Sequence, residues 1–270
     1  MTIGIIGLGL IGASYAKRLS KTFDVYGFDI DETIMKKMQE KLKGDALKHL
    51  NRLDIVVLAL NPKQTTEFIR AHGHELRKNV LVTDVCGVKS YVVSFIEKTL
   101  CTTQSYLSHH PMSGHPEGGF INSTPTLFEG ANLVYITTEK TAEDSLSRLH
   151  SVLVHLGFGS FSMMNASAHD IYIAHTSQLT HLISSALVLS NTDALPKEVM
   201  GNSYRDLTRI ADIEPAMWSE LFIDNKDALI DTLEAFEQTL AHYRTLLKNS
   251  DLQSVKALLE TTRKRYRQNR

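Results

Sequence analysis

A glycine-rich turn near the start of the chain restricts the fold more than any other feature of this sequence. It reads Gly7-Leu8-Gly9-Leu10-Ile11-Gly12. The turn follows an apolar run at residues 3–6 and opens a segment with helical periodicity. In this context Gly7 permits a tight turn, Gly9 lets the backbone approach a pyrophosphate, and Gly12 allows the helix to pack closely on the strand. With the N–H groups of the helix start facing the phosphates, the turn predicts a dinucleotide-binding βαβ unit in which all six residues contact the cofactor.

Short apolar runs alternate with amphipathic segments through the first half of the chain. The runs at residues 3–6, 25–28, 55–60 and 80–83 predict strands, and those at 11–20, 33–42, 64–76 and 89–99 predict helices. Further strands are predicted at 106–109, 133–137 and 160–163, with a helix at 142–156. This alternation is typical of an α/β fold in which helices cover both faces of a parallel sheet.

The strand signal stops after about residue 164, and the remaining sequence has the 3.6-residue periodicity of helices. We therefore predict two domains. Residues 1–163 form a Rossmann-type, doubly wound, mostly parallel sheet, and residues 164–270 form an all-helical C-terminal domain. No Pro/Gly/Ser-rich linker separates them, so we expect the domains to pack closely around a cleft.

Composition excludes several functional classes. The 29 basic and 30 acidic residues give a formal net charge of −1, which favours neither nucleic acid nor an anionic membrane as partner. No signal-peptide pattern and no apolar stretch of about 18 residues is present, so we expect a cytoplasmic protein. The two cysteines are too few for a disulfide framework, and neither HExxH nor paired-cysteine spacing occurs, so no metal site is predicted.

An aspartate at the end of the second predicted strand indicates which cofactor binds. Asp29 lies 17 residues beyond Gly12, where a carboxylate accepts hydrogen bonds from the adenosine ribose and repels a 2′-phosphate. The position favours NAD over NADP. Asp31 can share or take this role, and the alternative for either aspartate is a helix N-cap before Glu32.

A histidine pair follows an extended run in the middle of the chain. His110 precedes Pro111, which biases it toward an extended conformation just beyond a predicted strand end. Residues at that edge of a doubly wound sheet face the ligand crevice, and a neutral imidazole there can accept a hydroxyl proton as hydride departs. The alternative is that His109 or His110 is structural.

Two groups of polar residues in the helical half suggest a ligand pocket. Helical spacing places Ser177, His181, Ser184 and Ser185 on one face, where they line a pocket or bond a neighbouring helix. One turn separates Arg205 and Arg209, so both guanidinium groups can bind the carboxylates of a dianionic substrate. Surface ion pairs with Asp206 or Asp212 are the alternative for these arginines.

Taken together, the motifs resemble the prephenate dehydrogenase family through nearly the whole chain. The matching segments are the glycine turn, Asp84-Val85-Cys86-Gly87-Val88-Lys89, His110-Pro111-Met112-Ser113-Gly114, Leu127-Phe128-Glu129-Gly130-Ala131, His169-Asp170, Ser177 to His181, Thr208-Arg209-Ile210-Ala211 and Pro215-Ala216-Met217-Trp218. The resemblance implies a nucleotide-binding domain followed by a helical domain that forms a homodimer. The implied cofactor is NAD, and the implied partner is a small-molecule substrate.

Roles for individual residues follow from this resemblance. His110 matches the histidine that hydrogen-bonds the ring hydroxyl of the substrate, and Arg209 matches the arginine that anchors a carboxylate. His181 and Trp218 match pocket positions. The remaining predicted contacts are Arg205, Ser177 and Gln178 with substrate, and Asp84 with cofactor.

This chain departs from the family pattern at two places. Gly87 stands where the family often has a serine hydrogen-bonded to the histidine, so we expect His110 to use another orienting partner or a water. Gln178 and Thr180 replace a histidine and a proline of the usual helical signature.

The function that the resemblance implies is oxidative decarboxylation of prephenate to 4-hydroxyphenylpyruvate with NAD, in tyrosine biosynthesis. One alternative substrate is L-arogenate, which carries an amine where prephenate carries a keto group and requires an acidic group in the pocket. A β-hydroxyacid dehydrogenase requires a catalytic lysine, which the segment from His169 to His181 lacks. From another functional class, a non-catalytic NAD-binding sensor also accounts for the nucleotide motif.

Overall fold

A parallel sheet forms the centre of the N-terminal domain in the computed structural model, which describes residues 1–114, 118–138, 141–191 and 195–268. Its strands are β1 (Thr2–Ile6), β2 (Asp24–Phe28), β3 (Ile55–Leu58), β4 (Leu81–Asp84) and β5 (Ser105–Tyr106). They are parallel and lie in the order β2-β1-β3-β4-β5. All residues of β3 and β4 are buried, as expected for strands covered on both faces.

Helices cover both faces of this sheet. They are α1 (Leu10–Leu19), α2 (Glu32–Met38), α3 (Pro62–His72), α4 (Ser90–Thr99) and α5 (Glu143–Leu153). One apolar core lies between the sheet and helices α1 and α5, and a second lies between the opposite face and helices α3 and α4. Side chains of β3 alternate between them, with Ile55 and Val57 in the first core and Val56 and Leu58 in the second. The predicted doubly wound α/β domain is confirmed.

The strand predicted at residues 106–109 is divided between two sheets. The backbone N–H of Leu107 still donates to the Val82 carbonyl, 3.1 Å away, but the chain then turns into β6 (Ser108–Pro111). Strand β6 pairs antiparallel with β7 (Asn132–Ile136), which pairs parallel with β8 (Ser160–Met164). The later strands therefore form a separate three-stranded sheet, because β7 supplies the ladder partner that the first sheet does not offer at this edge.

The second half of the chain is helical, as predicted. It contains α6 (Ala166–Ile173), α7 (Leu179–Leu189), α8 (Asn202–Thr208), α9 (Pro215–Asp224), α10 (Lys226–Lys248) and α11 (Leu252–Gln268). A π-helical turn, Ala174–Gln178, joins α6 to α7, and a 3₁₀ turn, Arg209–Ala211, follows α8. Among the helices in the described part of the chain, none is long and apolar enough to cross a membrane.

Two of these helices lie against the carboxyl edge of the central sheet. The Asp170 carboxylate of α6 accepts the backbone N–H groups of Lys89 and Ser90 at the start of α4. On α9, the Glu220 carboxylate accepts a 3.2 Å hydrogen bond from the Asn61 amide, just after β3. The helical domain therefore packs at the edge where β3 and β4 end. The carboxyl edge of a doubly wound sheet is where its ligand crevice lies.

Candidate active site

The glycine turn after β1 has the geometry that a bound dinucleotide requires. Gly7 has a φ of +88°, and a Cβ there would lie 2.5 Å from the Ala59 carbonyl oxygen. A Cβ on Gly12 would lie 1.9 Å from the Gly7 carbonyl oxygen, so helix and turn are in direct contact. A Cβ on Gly9, in contrast, would meet no protein atom within 4 Å. The backbone at Gly9 is thus open to a ligand, which fits the pyrophosphate of a dinucleotide.

Asp29 and Asp31, the two candidates for binding the adenosine ribose, have different hydrogen-bond partners. Asp29 Oδ2 accepts a 2.7 Å hydrogen bond from the backbone N–H of Leu8, and Asp29 Oδ1 accepts the N–H of Asp31. Asp31 caps α2 by accepting the backbone N–H of Thr33 at 2.8 Å. The cap assignment therefore belongs to Asp31, whereas Asp29 lies against the glycine turn where the ribose of a dinucleotide is expected.

Asp84, which we predicted to contact the cofactor, lies inside the protein. Its side chain is 0% exposed and forms an ion pair with Lys89, with Nζ 2.8 Å from Oδ1. The Tyr106 hydroxyl and the Cys86 N–H also donate to this carboxylate. Burial opposes ionisation of Asp84, but the Lys89 ammonium outweighs it and lowers the pKa to about 2. The prediction of a direct contact is corrected, because every side of this carboxylate is enclosed by the protein.

Of the two adjacent histidines, His109 belongs to the core. It is 0% exposed, with Nδ1 hydrogen-bonded to Thr83 Oγ1 at 2.7 Å and Nε2 to the Tyr15 hydroxyl at 2.9 Å. Burial, and then the charge of Lys89, lowers the pKa of His109 to about 3. Both ring nitrogens are therefore engaged in a neutral, buried network, and the alternative that one histidine is structural holds for His109.

His110 lies at the end of β6 and is only partly buried. Its Nδ1 is 2.8 Å from Nε2 of His169 on α6, and Nδ1 of His169 is 2.8 Å from Oδ1 of Asp170. This is the other orienting partner that we expected from the absence of a serine at Gly87. Nε2 of His110 has no partner among the described residues, so it remains available to a ligand.

The surroundings of His110 and His169 keep both imidazoles neutral. Burial lowers the pKa of His110 well below 6.5, and the nearby Lys89 ammonium and His169 lower it further. Burial also lowers the pKa of His169, although the hydrogen bond to Asp170 opposes this shift. A neutral His110 can accept a proton at physiological pH, as a general base must.

Two predicted pocket residues in the helical domain are in contact. The rings of His181 on α7 and Trp218 on α9 have centroids 3.9 Å apart. His181 Nδ1 donates a 2.8 Å hydrogen bond to the Ser177 carbonyl, which leaves Nε2 free of that bond. Because the Ser177 carbonyl only accepts, the bonded nitrogen of His181 must carry the proton. Nε2 can therefore accept a hydrogen bond when the ring is neutral.

Gln178, a predicted substrate contact, forms hydrogen bonds to neighbouring helices. It is 2% exposed, its Nε2 donates to the Leu221 carbonyl at 2.8 Å, and its Oε1 accepts from Asn225 at 2.7 Å. Both ends of the side-chain amide are therefore satisfied inside the domain. Ser177 is partly buried, and the contact described for it is made by its backbone carbonyl.

The two predicted anchors, Arg205 and Arg209, are both exposed. Neither pairs with a carboxylate within residues 1–114, 118–138, 141–191 and 195–268, so the predicted alternative of pairs with Asp206 or Asp212 does not form. The 3₁₀ turn that begins at Arg209 packs against α7, the helix that carries His181. No hydrogen bond in the described part of the chain joins either arginine directly to His110.

The roles of His169, Asp170 and Lys89 could not be predicted from the sequence. The His-Asp dipeptide stood out as a motif at the start of the helical half, but its contact with His110 spans 59 positions, and no local pattern predicts such a contact. The described residues contain no group of three His, Cys, Asp or Glu side chains able to hold a metal ion.

Comparison with protein families matches both halves of the chain. The model described as "Prephenate dehydrogenase, nucleotide-binding domain" matches residues 13–160. The model described as "Prephenate dehydrogenase, dimerization domain" matches residues 165–261. Among curated proteins, prephenate dehydrogenase of Lactococcus lactis is 28% identical over 275 residues, which cover 96% of this chain and 75% of that protein.

Solved structures of prephenate and arogenate dehydrogenases are also similar to this chain. The structure of prephenate dehydrogenase from A. aeolicus with hydroxyphenyl propionate and NAD⁺ is similar with a TM-score of 0.87 and 26% identity, covering 99% of this chain and 98% of that one. The structure of Synechocystis arogenate dehydrogenase has a TM-score of 0.88 and 25% identity, with 100% of both chains covered. The likeness therefore extends over the sheet domain and the helical domain together.

Proposed function

Because the chain belongs to the prephenate dehydrogenase family of NAD-dependent oxidoreductases, we propose that it converts prephenate to 4-hydroxyphenylpyruvate in tyrosine biosynthesis. The observation that supports this most directly is the neutral His110 at the end of β6, with Nδ1 bonded to His169 and Nε2 free. Such a nitrogen accepts the proton of a ring hydroxyl.

The reaction balances without a further reactant. NAD, when bound at the glycine turn, supplies the hydride acceptor. His110 Nε2 takes the proton from the ring hydroxyl as hydride leaves the same carbon. Breaking the bond from the ring to its carboxylate releases carbon dioxide and restores aromaticity. His110 then returns the proton to the phenolate oxygen, and the products are 4-hydroxyphenylpyruvate, carbon dioxide and NADH.

The helical domain supplies the remaining contacts in this proposal. Arg209, with Arg205 one turn away, anchors a substrate carboxylate, and neither has an ion-pair partner within the described ranges that competes with it. His181 and Trp218 line the pocket, together with Ser177. Cofactor contacts come from the glycine turn and Asp29. The domain boundary proposed from sequence lies after residue 163.

We also propose a homodimer formed through the helical domain. The match to a dimerization-domain model supports it. So do the large apolar side chains that the single chain leaves exposed on these helices, among them Tyr172, Leu189 and Ile223.

A second substrate is favoured by one comparison, the likeness to an arogenate dehydrogenase over the whole chain. L-Arogenate would require a carboxylate near the side-chain amine. The same His110 and hydride chemistry would apply, so the two substrates differ only in how the side chain is recognised.

The direct test measures NADH formation by absorbance with prephenate and with L-arogenate, each with NAD and with NADP. We expect the highest kcat/KM with prephenate and NAD. A higher kcat/KM with arogenate would reassign the substrate. NAD binding without turnover of either compound would reject the enzymatic proposal in favour of a nucleotide sensor.

A further inference from the structure

We propose that His169, oriented by Asp170, is a positioning residue that holds the His110 imidazole in its Nδ1–H tautomer. Nε2 of His110 is then the nitrogen that accepts the substrate proton. The inference rests on the proposed function for its catalytic consequence, but the tautomer itself is a property of the protein without substrate.

The direction of each hydrogen bond follows from the carboxylate at the end of the chain of contacts. An ionised Asp170 can only accept, so the bond of 2.8 Å between its Oδ1 and His169 Nδ1 requires a proton on that nitrogen. Neutral His169 then has a lone pair on Nε2. The contact of 2.8 Å between this nitrogen and His110 Nδ1 therefore requires that His110 donates. Two successive hydrogen bonds therefore hold His110 in the Nδ1–H tautomer.

Several donors keep Asp170 ionised and immobile. Its oxygens accept the backbone N–H of Lys89 at 2.8 Å and of Ser90 at 2.7 Å, at the N-terminus of α4. Burial opposes ionisation, but the bonds from His169, Ser90 and Lys89 outweigh it and lower the pKa of Asp170 below its ordinary value. The Asn225 amide donates to the Asp170 carbonyl at 2.9 Å, which fixes the backbone as well. The Asp170 carboxylate is thus held in place, and through its hydrogen bond to His169 it orients the rings of both His169 and His110.

Without His169, nothing described in the structure would hold His110 in the required form. Gly87 has no side chain to offer a hydrogen bond, and a Cβ placed there would meet only Leu221 Cδ2, at 3.5 Å. A histidine free to exchange tautomers favours the Nε2–H form, which would present a donor instead of an acceptor to the substrate hydroxyl. Loss of the correct tautomer is what makes the equivalent carboxylate-to-amide change so damaging in serine proteases.

The test compares two replacements that differ in one property. His169→Gln keeps a carbonyl acceptor for His110, whereas His169→Leu has similar bulk and no acceptor. His150→Leu is the matched control, because His150 is an exposed histidine of α5 whose ring bonds Tyr135, outside the site. Two readouts are recorded for each protein. The first is the His110 tautomer, measured by ¹⁵N NMR without substrate, and the second is kcat with prephenate, together with the KM for NAD. Circular dichroism verifies folding.

We expect the Nδ1–H form of His110 in the native protein, in His169→Gln and in His150→Leu. In His169→Leu we expect the Nε2–H form and a kcat lower by on the order of 10²-fold, with KM for NAD unchanged. An Nε2–H form of His110 in the native protein would overturn the proposal, as would an unchanged tautomer in His169→Leu. If His169→Leu does not fold, the native protein and His169→Gln decide by the same NMR criterion. If the native protein turns over neither substrate, the proposed function fails while the NMR result still decides the tautomer.

Discussion

Lys89 and Asp84 form an ion pair with both side chains fully buried, at the point where the two domains meet. Lys89 Nζ also donates to the carbonyl of His109 at 2.7 Å, so the ammonium connects the end of β4 to strand β6. Its backbone N–H donates to Asp170 of the helical domain. One lysine thus connects the central sheet, the strand that carries His110, and helix α6.

Lys89→Met removes the charge but keeps most of the volume, and it leaves the Asp84 carboxylate buried without its cation. We expect the free energy of unfolding to fall by about 3–5 kcal/mol, measured by urea denaturation. Lys256→Met is the control, because Lys256 pairs with Glu260 on the surface and should contribute less than about 1 kcal/mol. Equal losses in the two variants would contradict the structural role of the buried pair.

Alanine at two positions of the glycine turn should affect different properties, NAD binding at Gly9 and stability at Gly12. Gly9→Ala adds a methyl group that meets no protein atom, so stability should change by no more than about 1 kcal/mol while NAD binding weakens. Gly12→Ala forces a Cβ against the Gly7 carbonyl and should lower stability by about 1–3 kcal/mol or more. Thermal unfolding and calorimetric titration with NAD measure both. Unchanged NAD affinity in Gly9→Ala would argue against a pyrophosphate at this turn.

Replacement of the proposed general base should affect turnover more than binding. His110→Asn should lower kcat by roughly 10²- to 10⁴-fold, with a smaller change in KM for prephenate. His74→Asn, at an exposed position, is the control and should keep native rates. Native steady-state turnover in His110→Asn would reject the assigned role.

The proposed carboxylate anchor should act on substrate binding. Arg209→Ala removes a charge-assisted hydrogen bond of about 1.5–3 kcal/mol, which corresponds to a roughly 10- to 100-fold higher KM for prephenate. Arg205→Ala measures the share of the second arginine. Arg263→Ala, on exposed α11, controls for net charge. An unaltered KM and kcat in Arg209→Ala would remove Arg209 from the site.

Buried neutral histidines should make stability depend on pH. Burial lowers the pKa of His109 to about 3 and also lowers that of His169, whereas both ionise near 6.5 when unfolded. Between these values the unfolded chain binds more protons than the folded one. The stabilisation is therefore complete above pH 6.5 and is lost as the pH falls from there toward 3.

Each histidine that takes up a proton on unfolding contributes a slope of about 1.4 kcal/mol per pH unit. Urea unfolding between about pH 7.5 and about pH 5 measures this slope. His74→Gln, at an exposed position, should leave the slope as it is in the native protein, and a pH-independent free energy of unfolding would contradict the expectation.

The features of the fold that could be predicted from the sequence are those that depend on residues close together in the chain. The glycine turn and the alternation of apolar runs with amphipathic segments need only neighbours within a few positions, and most predicted elements end within a few residues of the observed ones. The division of the strand at residues 106–109 depends on its partner β7, more than twenty positions later, and was therefore not visible.

The same distinction applies to the site. His110 could be singled out because Pro111 and the preceding extended run are adjacent to it. Asp84 belongs to a segment that resembles the family and is predicted from it to contact the cofactor, and only the fold shows that it is buried in an ion pair with Lys89. The contact between His110 and His169 joins two domains, so it depends on how they pack and not on any spacing in the sequence.

The π-helical turn at Ala174–Gln178 sets the direction in which the side chains of the following helix, α7, point. Such a turn accommodates one more residue than an α-helical turn, so everything after it is rotated by roughly 100° about the axis relative to an uninterrupted helix. Deleting one residue from this turn would give an uninterrupted α-helix with a complete set of hydrogen bonds, yet it would rotate His181 away from Trp218. The contact between His181 and Trp218 therefore depends on one extra residue in the main chain of this turn as much as on the identity of the two side chains.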